Sequence, residues 1–175
     1  MERISSLLMI QRKGIIMIEF KRLTVEDVDI YQTVVKNFRD QDVTVEKALS
    51  FLHNPTNIVY VAHEDRNAVA YILCYRTNRM DNGNDIMNIF HLFVLDTHRR
   101  QGLGLKLMDI VLTYAKEEKL HYVFLITQND NTAANALYLK CGGYNHPKDK
   151  EVYFWYITGR PATDEPDDHP LEIQN

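Results

Sequence analysis

The segment at residues 86–104 constrains the fold of this chain more than any other. Residues 86–95 form a long, nearly uninterrupted apolar run, which is typical of a strand buried inside a sheet. A polar loop with Gly102 and Gly104 follows directly and leads into a segment whose apolar residues recur at helical spacing. That apolar stripe comprises Met108, Val111, Leu112 and Ala115. The sequence therefore predicts a central strand, a glycine-containing loop and a helix in direct succession.

The first part of the chain predicts one strand and two helices. Residues 18–23 alternate apolar and polar side chains, as a half-buried strand does. Thr24 and Asp27 then form a capping-box pattern, which opens a helix. A second, shorter helix is expected to open at residues 42–44, with Val45, Ala48, Leu49 and Leu52 at helical spacing. The apolar face predicted for the first helix consists of Val28, Tyr31, Val35 and Phe38.

The remaining segments predict a hairpin, two more strands and a last helix. The β-branched and aromatic runs at 57–63 and 68–75 are separated by a short polar segment, which favours an antiparallel hairpin. Strands are predicted at 121–126 and 152–157, with a helix at 131–140 between them. The predicted order is thus β-α-α-β-β-β-α-β-α-β.

Composition and charge exclude several classes of protein. A length of 175 residues suits one domain, and a net charge of −4 offers no basic surface for nucleic acid. Cys74 and Cys141 lie far apart and the seven histidines form no ligand cluster, so we expect no metal site. Reduced cysteines of this kind are typical of a cytoplasmic protein. The apolar run at residues 7–10 is too short to span a membrane.

We expect the chain to divide into three regions. Residues 1–16 are predicted to be an N-terminal extension, without the features of a signal peptide. Residues 17–158 are predicted to form the folded domain. Residues 159–175 are rich in proline and acidic side chains, which indicates a flexible acidic tail.

The loop after the central strand has the chemistry of an anion-binding site. From Arg99 onward it reads Arg-Arg-Gln-Gly-Leu-Gly. Successive backbone N–H groups in such a loop form an anion-binding nest, and the following helix adds its partial positive charge. Glycine removes the Cβ that would block phosphate oxygens. A tight turn with a glycine cap would give the same pattern, and the spacing differs from both the Rossmann fingerprint and the P-loop.

Two motifs, taken together, resemble the GNAT superfamily of N-acetyltransferases. The first is Val-Leu-Asp-Thr-His-Arg-Arg-Gln-Gly-Leu-Gly at residues 94–104. The second is Asn-Thr-Ala-Ala-Asn-Ala-Leu-Tyr at residues 131–138, with two glycines at 142–143. The resemblance covers residues 18–157. It implies an α/β (α+β) fold with a central mixed, mostly antiparallel sheet of about six to seven strands and about four flanking helices.

The resemblance also implies acetyl-CoA as the co-substrate. In this superfamily the strand before the loop splays from the next strand, and the pantetheine arm lies in the gap. Backbone groups of Leu92, Phe93 and Val94 would then contact pantetheine and the thioester, and Asn131 would bind near the later helix. The diphosphate would lie on Arg99, Arg100, Gln101, Gly102, Leu103, Gly104 and Leu105.

Two residues are candidates for the chemistry. Tyr138 matches the tyrosine that the superfamily places beside the CoA sulfur, where a phenol would protonate the departing thiolate. A core aromatic is the alternative interpretation. His91, directly before Leu92 on the central strand, is the candidate general base, because an amine must lose a proton to attack a thioester. A packed and hydrogen-bonded strand histidine is equally compatible with the sequence.

The acceptor is predicted to be a small-molecule amine. The stretch from His91 to Gly102 resembles the aminoglycoside 3-N-acetyltransferase branch of the superfamily, although His91 replaces an acidic residue of that branch. A cationic acceptor favours an acidic cleft, for which carboxylates of the first two helices, or Asp81 and Asp85 at a hairpin tip, are candidates. A protein N-terminus, a polyamine and a non-catalytic CoA sensor remain alternatives, and a homodimer is left open.

Overall fold

The computed structural model describes residues 5–11, 14–80 and 85–144, with side chains from Met17 onward. Its sheet has six strands in the order β1 to β6. The strands are β1 (Ser5–Gln11), β2 (Gly14–Arg22), β3 (Asn57–Glu64), β4 (Asn67–Asn78), β5 (Asp85–Val94) and β6 (Val123–Phe124). The helices are α1 (Val28–Arg39), α2 (Val45–His53), α3 (Leu103–Glu117) and α4 (Thr132–Lys140). Short 3-10 turns precede α1 and α3, at Val25–Asp27 and Asp96–His98.

The sheet is mixed, as predicted. Neighbouring strands from β1 to β5 pair antiparallel, and β6 pairs parallel with β5. The connection from β5 to β6 runs through α3, because parallel neighbours need a long crossover. The predicted order of elements is confirmed over residues 18–140, and the strand predicted at 152–157 lies outside the described residues.

Two strands differ from the prediction. The first predicted strand is longer, beginning at Gly14, and it pairs with β1, a strand within residues 1–16. A short polar segment with a glycine between two apolar runs favours a hairpin, which accounts for this pairing. The strand predicted at 121–126 is shorter and reduces to Val123–Phe124, because its pairing with β5 stops there. The domain boundaries at 17 and 158 stay predictions.

The hydrophobic core has two halves, one on each face of the sheet. One half packs β-strand residues against α3, with Leu103, Leu107 and Val111 fully or almost fully buried. The other packs the opposite face of the sheet against α1. There the buried residues of α1 are Ile30 and Val34, whereas the predicted Val28 and Val35 are half-buried. The predicted Tyr31 and Phe38 are partly buried and pack against the same core.

The β3–β4 hairpin confirms the polar turn predicted at residues 64–67. Glu64 pairs with Asn67, which leaves a two-residue turn. Both turn residues have left-handed backbones, with φ of 45° at Asp65 and 65° at Arg66. Positive φ at both central positions is the requirement of a type I′ turn, which matches the twist of the flanking strands. The turn therefore fixes the end of β3 tightly.

Candidate functional site

A β-bulge in β5 decides which side chains reach each face of the sheet. Cys74 pairs with Ile89 and the next residue back, Leu73, pairs with His91, so Phe90 is the extra residue. Before the bulge, Met87 and Ile89 face the core under α3. An inserted residue reverses the alternation. His91 therefore leaves the α3 core and joins the face that carries α1.

Beyond the bulge, β5 loses its neighbour on one side. Pairing with β6 is limited to Met87 with Val123 and Asn88 with Phe124. From Ile89 to Val94, the described residues place no strand against this edge. The edge that faces β4 stays paired through Val94. A gap therefore opens between the two parallel strands, where the resemblance predicts one.

Alternation along β5 shows which backbone groups face this gap. The N–H of Leu95 donates to the carbonyl of Val69 on β4, at 2.9 Å. In an antiparallel ladder successive residues point to opposite edges, so Phe93 also points to β4 while Leu92 and Val94 point to the gap. Leu92 and Val94 fit the predicted role. The backbone of Phe93 does not, because its hydrogen bonds belong to the ladder.

The loop after β5 turns sharply into α3. Arg100 has φ of 61° and Gly102 has φ of 83°, both in the left-handed region. Gly102 is the N-cap of α3, and no side chain among the described residues caps this helix. The first N–H groups of a helix have no intrahelical partner. They are available to an anion, and the diphosphate site predicted for this loop stays a prediction.

Gly104 brings the two sequence motifs together. A Cβ at this position would lie 3.3 Å from Cδ2 of Leu137 on α4 and 3.9 Å from Cγ2 of Val94 on β5. The end of β5, the first turn of α3 and the middle of α4 therefore meet at one point. Leu103 is 1% exposed, so its side chain belongs to the core and its backbone alone is available. Leu105 is half-buried on the same turn.

The polar side chains of the loop are held within it. The guanidinium of Arg99 pairs with Asp96 at 2.7 Å, and its Nε donates to the carbonyl of Val94 at 3.4 Å. Gln101 donates from Nε2 to the carbonyl of Thr97 at 3.1 Å. Arg100 is exposed. Arg99 and Arg100 are thus both exposed cations of the loop, and Arg99 and Gln101 also form hydrogen bonds within it.

Asn131 and Tyr138 lie on α4, as predicted. Asn131 is the N-cap, and its side-chain oxygen accepts a hydrogen bond from the N–H of Ala134 at 3.2 Å. Tyr138 packs against the core under α3. Burial, followed by the nearby Cys141, raises the pKa of Tyr138 above its ordinary value. The phenol is therefore protonated at neutral pH, as an acid must be.

The glycines at the end of α4 form a Schellman motif. Gly142 has φ of 82°. Its N–H donates to the carbonyl of Leu139, and the N–H of Gly143 donates to the carbonyl of Tyr138, both at 3.0 Å. This pair of bonds defines the motif. The predicted C-cap is confirmed, and it fixes the last turn of the helix on which Tyr138 lies.

His91 hydrogen-bonds to Tyr71 on β4. The distance from His91 Nδ1 to the Tyr71 hydroxyl is 3.3 Å. Burial, and then the charge of Arg39, lowers the pKa of His91 below its ordinary value. Burial raises the pKa of Tyr71 to about 12, so the phenol keeps its proton. If Nδ1–H donates to Tyr71, the lone pair of Nε2 is available to a proton, which is the tautomer that a base requires.

An aromatic cluster surrounds His91 on the α1 face, and no sequence motif predicts it. Phe93 stacks on Tyr71 with ring centroids 5.7 Å apart, and Phe38 of α1 meets Tyr71 edge-on at 4.9 Å. Phe90 contacts the His91 ring at 4.4 Å. Phe90 is 57% exposed and Phe93 is 40% exposed. The alternating aromatic residues of β4 and β5 indicate such a cluster. The bulge at Phe90 changes the alternation in β5, so the sequence does not show that they share one face.

A groove of about 460 Å³ adjoins this cluster. It is lined by residues from the end of α1, from the end of β5 and from the segment that follows β5. Among them are Asn37, Phe38, Phe93, Thr97 and Arg99. Asp85, predicted for an acidic cleft, forms ion pairs and hydrogen bonds with Arg76 and Asn78 instead. Its carboxylate is thus engaged within the sheet, and Asp81 lies outside the described residues.

The two candidate catalytic residues lie on opposite faces of the sheet. His91 contacts Tyr71, which belongs to the core under α1. Tyr138 packs against the core under α3. The gap beside β5 connects the two faces of the sheet. The unpaired edge of β5, the uncapped N-terminus of α3 and the phenol of Tyr138 on α4 are the polar groups of this site.

Comparison with known proteins identifies the family. The chain belongs to the acetyltransferase (GNAT) family, whose model matches residues 24–143. Streptothricin acetyltransferase of Escherichia coli is 37% identical over 59 residues, which are 34% of this chain and 34% of that protein. The chain therefore spans about a third of the length of this curated relative in the matched region.

Two solved structures share the fold. An aminoglycoside acetyltransferase from an uncultured soil metagenomic sample, in complex with trehalose, has a TM-score of 0.70 at 19% identity. The similarity covers 81% of this chain and 97% of that one. An aminoglycoside N-acetyltransferase in complex with CoA has a TM-score of 0.59 at 16% identity. That similarity covers 78% of this chain and 97% of the other. The predicted GNAT fold is thereby confirmed.

The described residues contain no helix that is both long and apolar enough to cross a membrane.

Proposed function

We propose that this protein transfers the acetyl group of acetyl-CoA to a primary amine. The observation that carries the proposal is the meeting of three elements at Gly104: the unpaired edge of β5, the uncapped start of α3, and α4 with Tyr138. The family to which the chain belongs supports the same activity. Acetyl-CoA is a substrate of this reaction.

The loop and the gap would bind the donor. Backbone N–H groups of residues 100–105 would hold the diphosphate, since an uncapped helix N-terminus attracts anions. The exposed guanidinium of Arg100 would add charge, and Asn131 would use its amide nitrogen because its oxygen already caps α4. Pantetheine would follow β5 and hydrogen-bond to Leu92 and Val94 as a further strand would.

The chemistry would run across the gap. The amine reaches the thioester from the α1 face and passes a proton to Nε2 of His91, directly or through water. Its nitrogen attacks the carbonyl carbon, and a backbone N–H at the open edge of β5 stabilises the oxyanion. The C–S bond then breaks, and the thiolate takes the proton of Tyr138 on the α3 face. The new amide nitrogen then loses its extra proton, which restores the phenol of Tyr138 through solvent, and His91 releases its own proton to solvent, so that the acetylated amine and CoA are the products.

The acceptor is proposed to be an aminosugar such as an aminoglycoside. Two of the solved structures that share this fold are named aminoglycoside acetyltransferases. The exposed rings of Phe90 and Phe93 lie beside His91, and an ammonium group is attracted to the faces of such rings.

An acceptor panel tests the proposal. Purified protein is incubated with acetyl-CoA and an aminoglycoside, a polyamine or a peptide with a free N-terminus, and acetylated product is measured by mass spectrometry. We expect the aminoglycoside to be acetylated with the highest kcat/KM. Thiol release is read against a reaction without amine, because Cys141 is half-buried and free. Acetylation of the peptide or polyamine alone would contradict the proposed aminosugar acceptor. CoA binding without turnover would contradict the proposed acetyltransferase activity.

A further inference from the structure

The diphosphate loop holds a conformation that is costly for its sequence. Arg100 is a non-glycine residue with φ of 61°, two residues before Gly102 with φ of 83°. A left-handed backbone is unfavourable for residues with a Cβ, and it persists where neighbouring contacts hold it. The question is which contacts hold this loop.

One contact comes from the β3–β4 hairpin. Nε2 of His98 lies 3.1 Å from Oε1 of Glu64, the last residue of β3. A carboxylate can only accept a hydrogen bond, so Nε2 carries the proton. On the other side of the ring, Nδ1 lies 2.8 Å from the hydroxyl of Thr97. The side chains are 14% exposed at His98 and 24% exposed at Glu64, so water competes weakly for this bond.

The contact reaches the strained segment through Thr97. The backbone carbonyl of Thr97 accepts the side-chain hydrogen bond of Gln101 at 3.1 Å. Arg100 therefore lies in a segment that is closed by the hydrogen bond from Gln101 to Thr97. Thr97 in turn contacts His98 through its hydroxyl. The chain of contacts is Glu64, His98, Thr97 and Gln101.

Glu64 is a firm anchor for this chain of contacts. It borders the two-residue turn whose left-handed residues fix the end of the hairpin. Arg66 in the turn forms an ion pair with Asp29 of α1, which ties the hairpin to the rest of the domain. The loop also starts from a fixed point, because Leu95 is hydrogen-bonded to Val69 of the same hairpin.

We propose that Glu64 is a positioning residue for acetyl-CoA, which holds His98 and thereby the anion-binding conformation of residues 99–104. Glu64 does not contact the donor and takes no part in the chemistry. It raises the fraction of molecules whose loop is ready to bind. The inference rests on the proposed function, since it concerns the same donor site.

The test compares Glu64→Ala with Glu118→Ala. Both changes remove a carboxylate from an ion pair, and Glu118 pairs with Arg76 rather than with the loop. The Kd for CoA is measured by calorimetry, together with kcat and both KM values. We expect Glu64→Ala to raise the Kd for CoA and the KM for acetyl-CoA roughly two- to tenfold, the range of one lost hydrogen bond. Saturating acetyl-CoA should restore the wild-type kcat.

Glu64→Gln is the conservative variant. Its side-chain oxygen can still accept from Nε2 of His98, so we expect CoA affinity close to wild type. Glu118→Ala should bind CoA like the wild type. A merely structural role would lower the melting temperature of Glu64→Ala without this separation of KM from kcat.

Three results would overturn the inference. The first is an unchanged Kd for CoA in Glu64→Ala, with wild-type binding intact, which leaves the proposed function standing. The second is equal loss of affinity in Glu64→Ala and Glu118→Ala, which indicates general destabilisation. The third is a wild-type protein that does not bind CoA at all, which contradicts the proposed function as well.

Discussion

Replacement of Gly102 by alanine tests the diphosphate loop most directly. A Cβ at Gly102 would meet no atom within 4 Å, so its effect on the free protein comes from the backbone. At φ of 83° alanine is strained by roughly 1–2 kcal/mol. The strain appears in one of two ways, depending on whether the loop keeps or loses its shape.

If the loop relaxes, the binding-competent fraction falls about 5- to 30-fold, and the apparent Kd for CoA rises by the same factor. If the loop keeps its shape, the strain lowers the stability of the folded state, and Tm falls by roughly 2–8 °C for a domain of this size. Calorimetry with CoA and a thermal melt, on the same sample, separate the two.

Gly102→Asn is the matched control. It carries the same Cβ as alanine, but asparagine tolerates the left-handed region better. We therefore expect Asn to cost less than Ala in the sum of the two effects. Equal losses in both variants would show that the Cβ blocks the ligand. An alanine variant with wild-type Kd and wild-type Tm would refute the reasoning about φ.

Two further predictions concern the catalytic candidates. Tyr138→Phe should lower kcat by roughly a hundredfold with little change in the KM for acetyl-CoA, because it removes a proton donor while the ring keeps its packing. A wild-type kcat, with the chemical step shown to be rate-limiting, would exclude Tyr138 from the mechanism. The rate should fall as pH falls through the pKa of His91, because imidazolium cannot accept a proton, and burial places this limb below the ordinary value of about 6.5. His91→Ala should lower the rate and abolish the limb, and a variant that keeps both rate and profile would show that His91 only packs.

The sequence predicted most of the local structure because the signals were local. The capping box at Thr24 and Asp27 is present in full, since it depends on residues three apart. Gly142 ends α4 in the left-handed conformation that favours glycine. The donor loop was recognisable because it lies on one continuous segment between β5 and α3.

The acceptor side was not predictable in the same way. Its rings come from α1, β4 and β5, and no short motif joins Phe38, Tyr71 and Phe93. The bulge at Phe90 reversed the side-chain alternation, which a plain period of two cannot anticipate. Asp85 failed as an acceptor ligand because Arg76, on the neighbouring strand, occupies its carboxylate.

The extra residue in β5 has a consequence for the routes by which the two substrates would enter the site. Since it turns His91 away from the side of the sheet where Tyr138 lies, donor and acceptor would enter from opposite directions and meet in the gap. Neither substrate would block the other's path, so both would be bound before reaction, and no acetylated enzyme is needed as an intermediate. One inserted residue, Phe90, would thus give a single site two separate entrances.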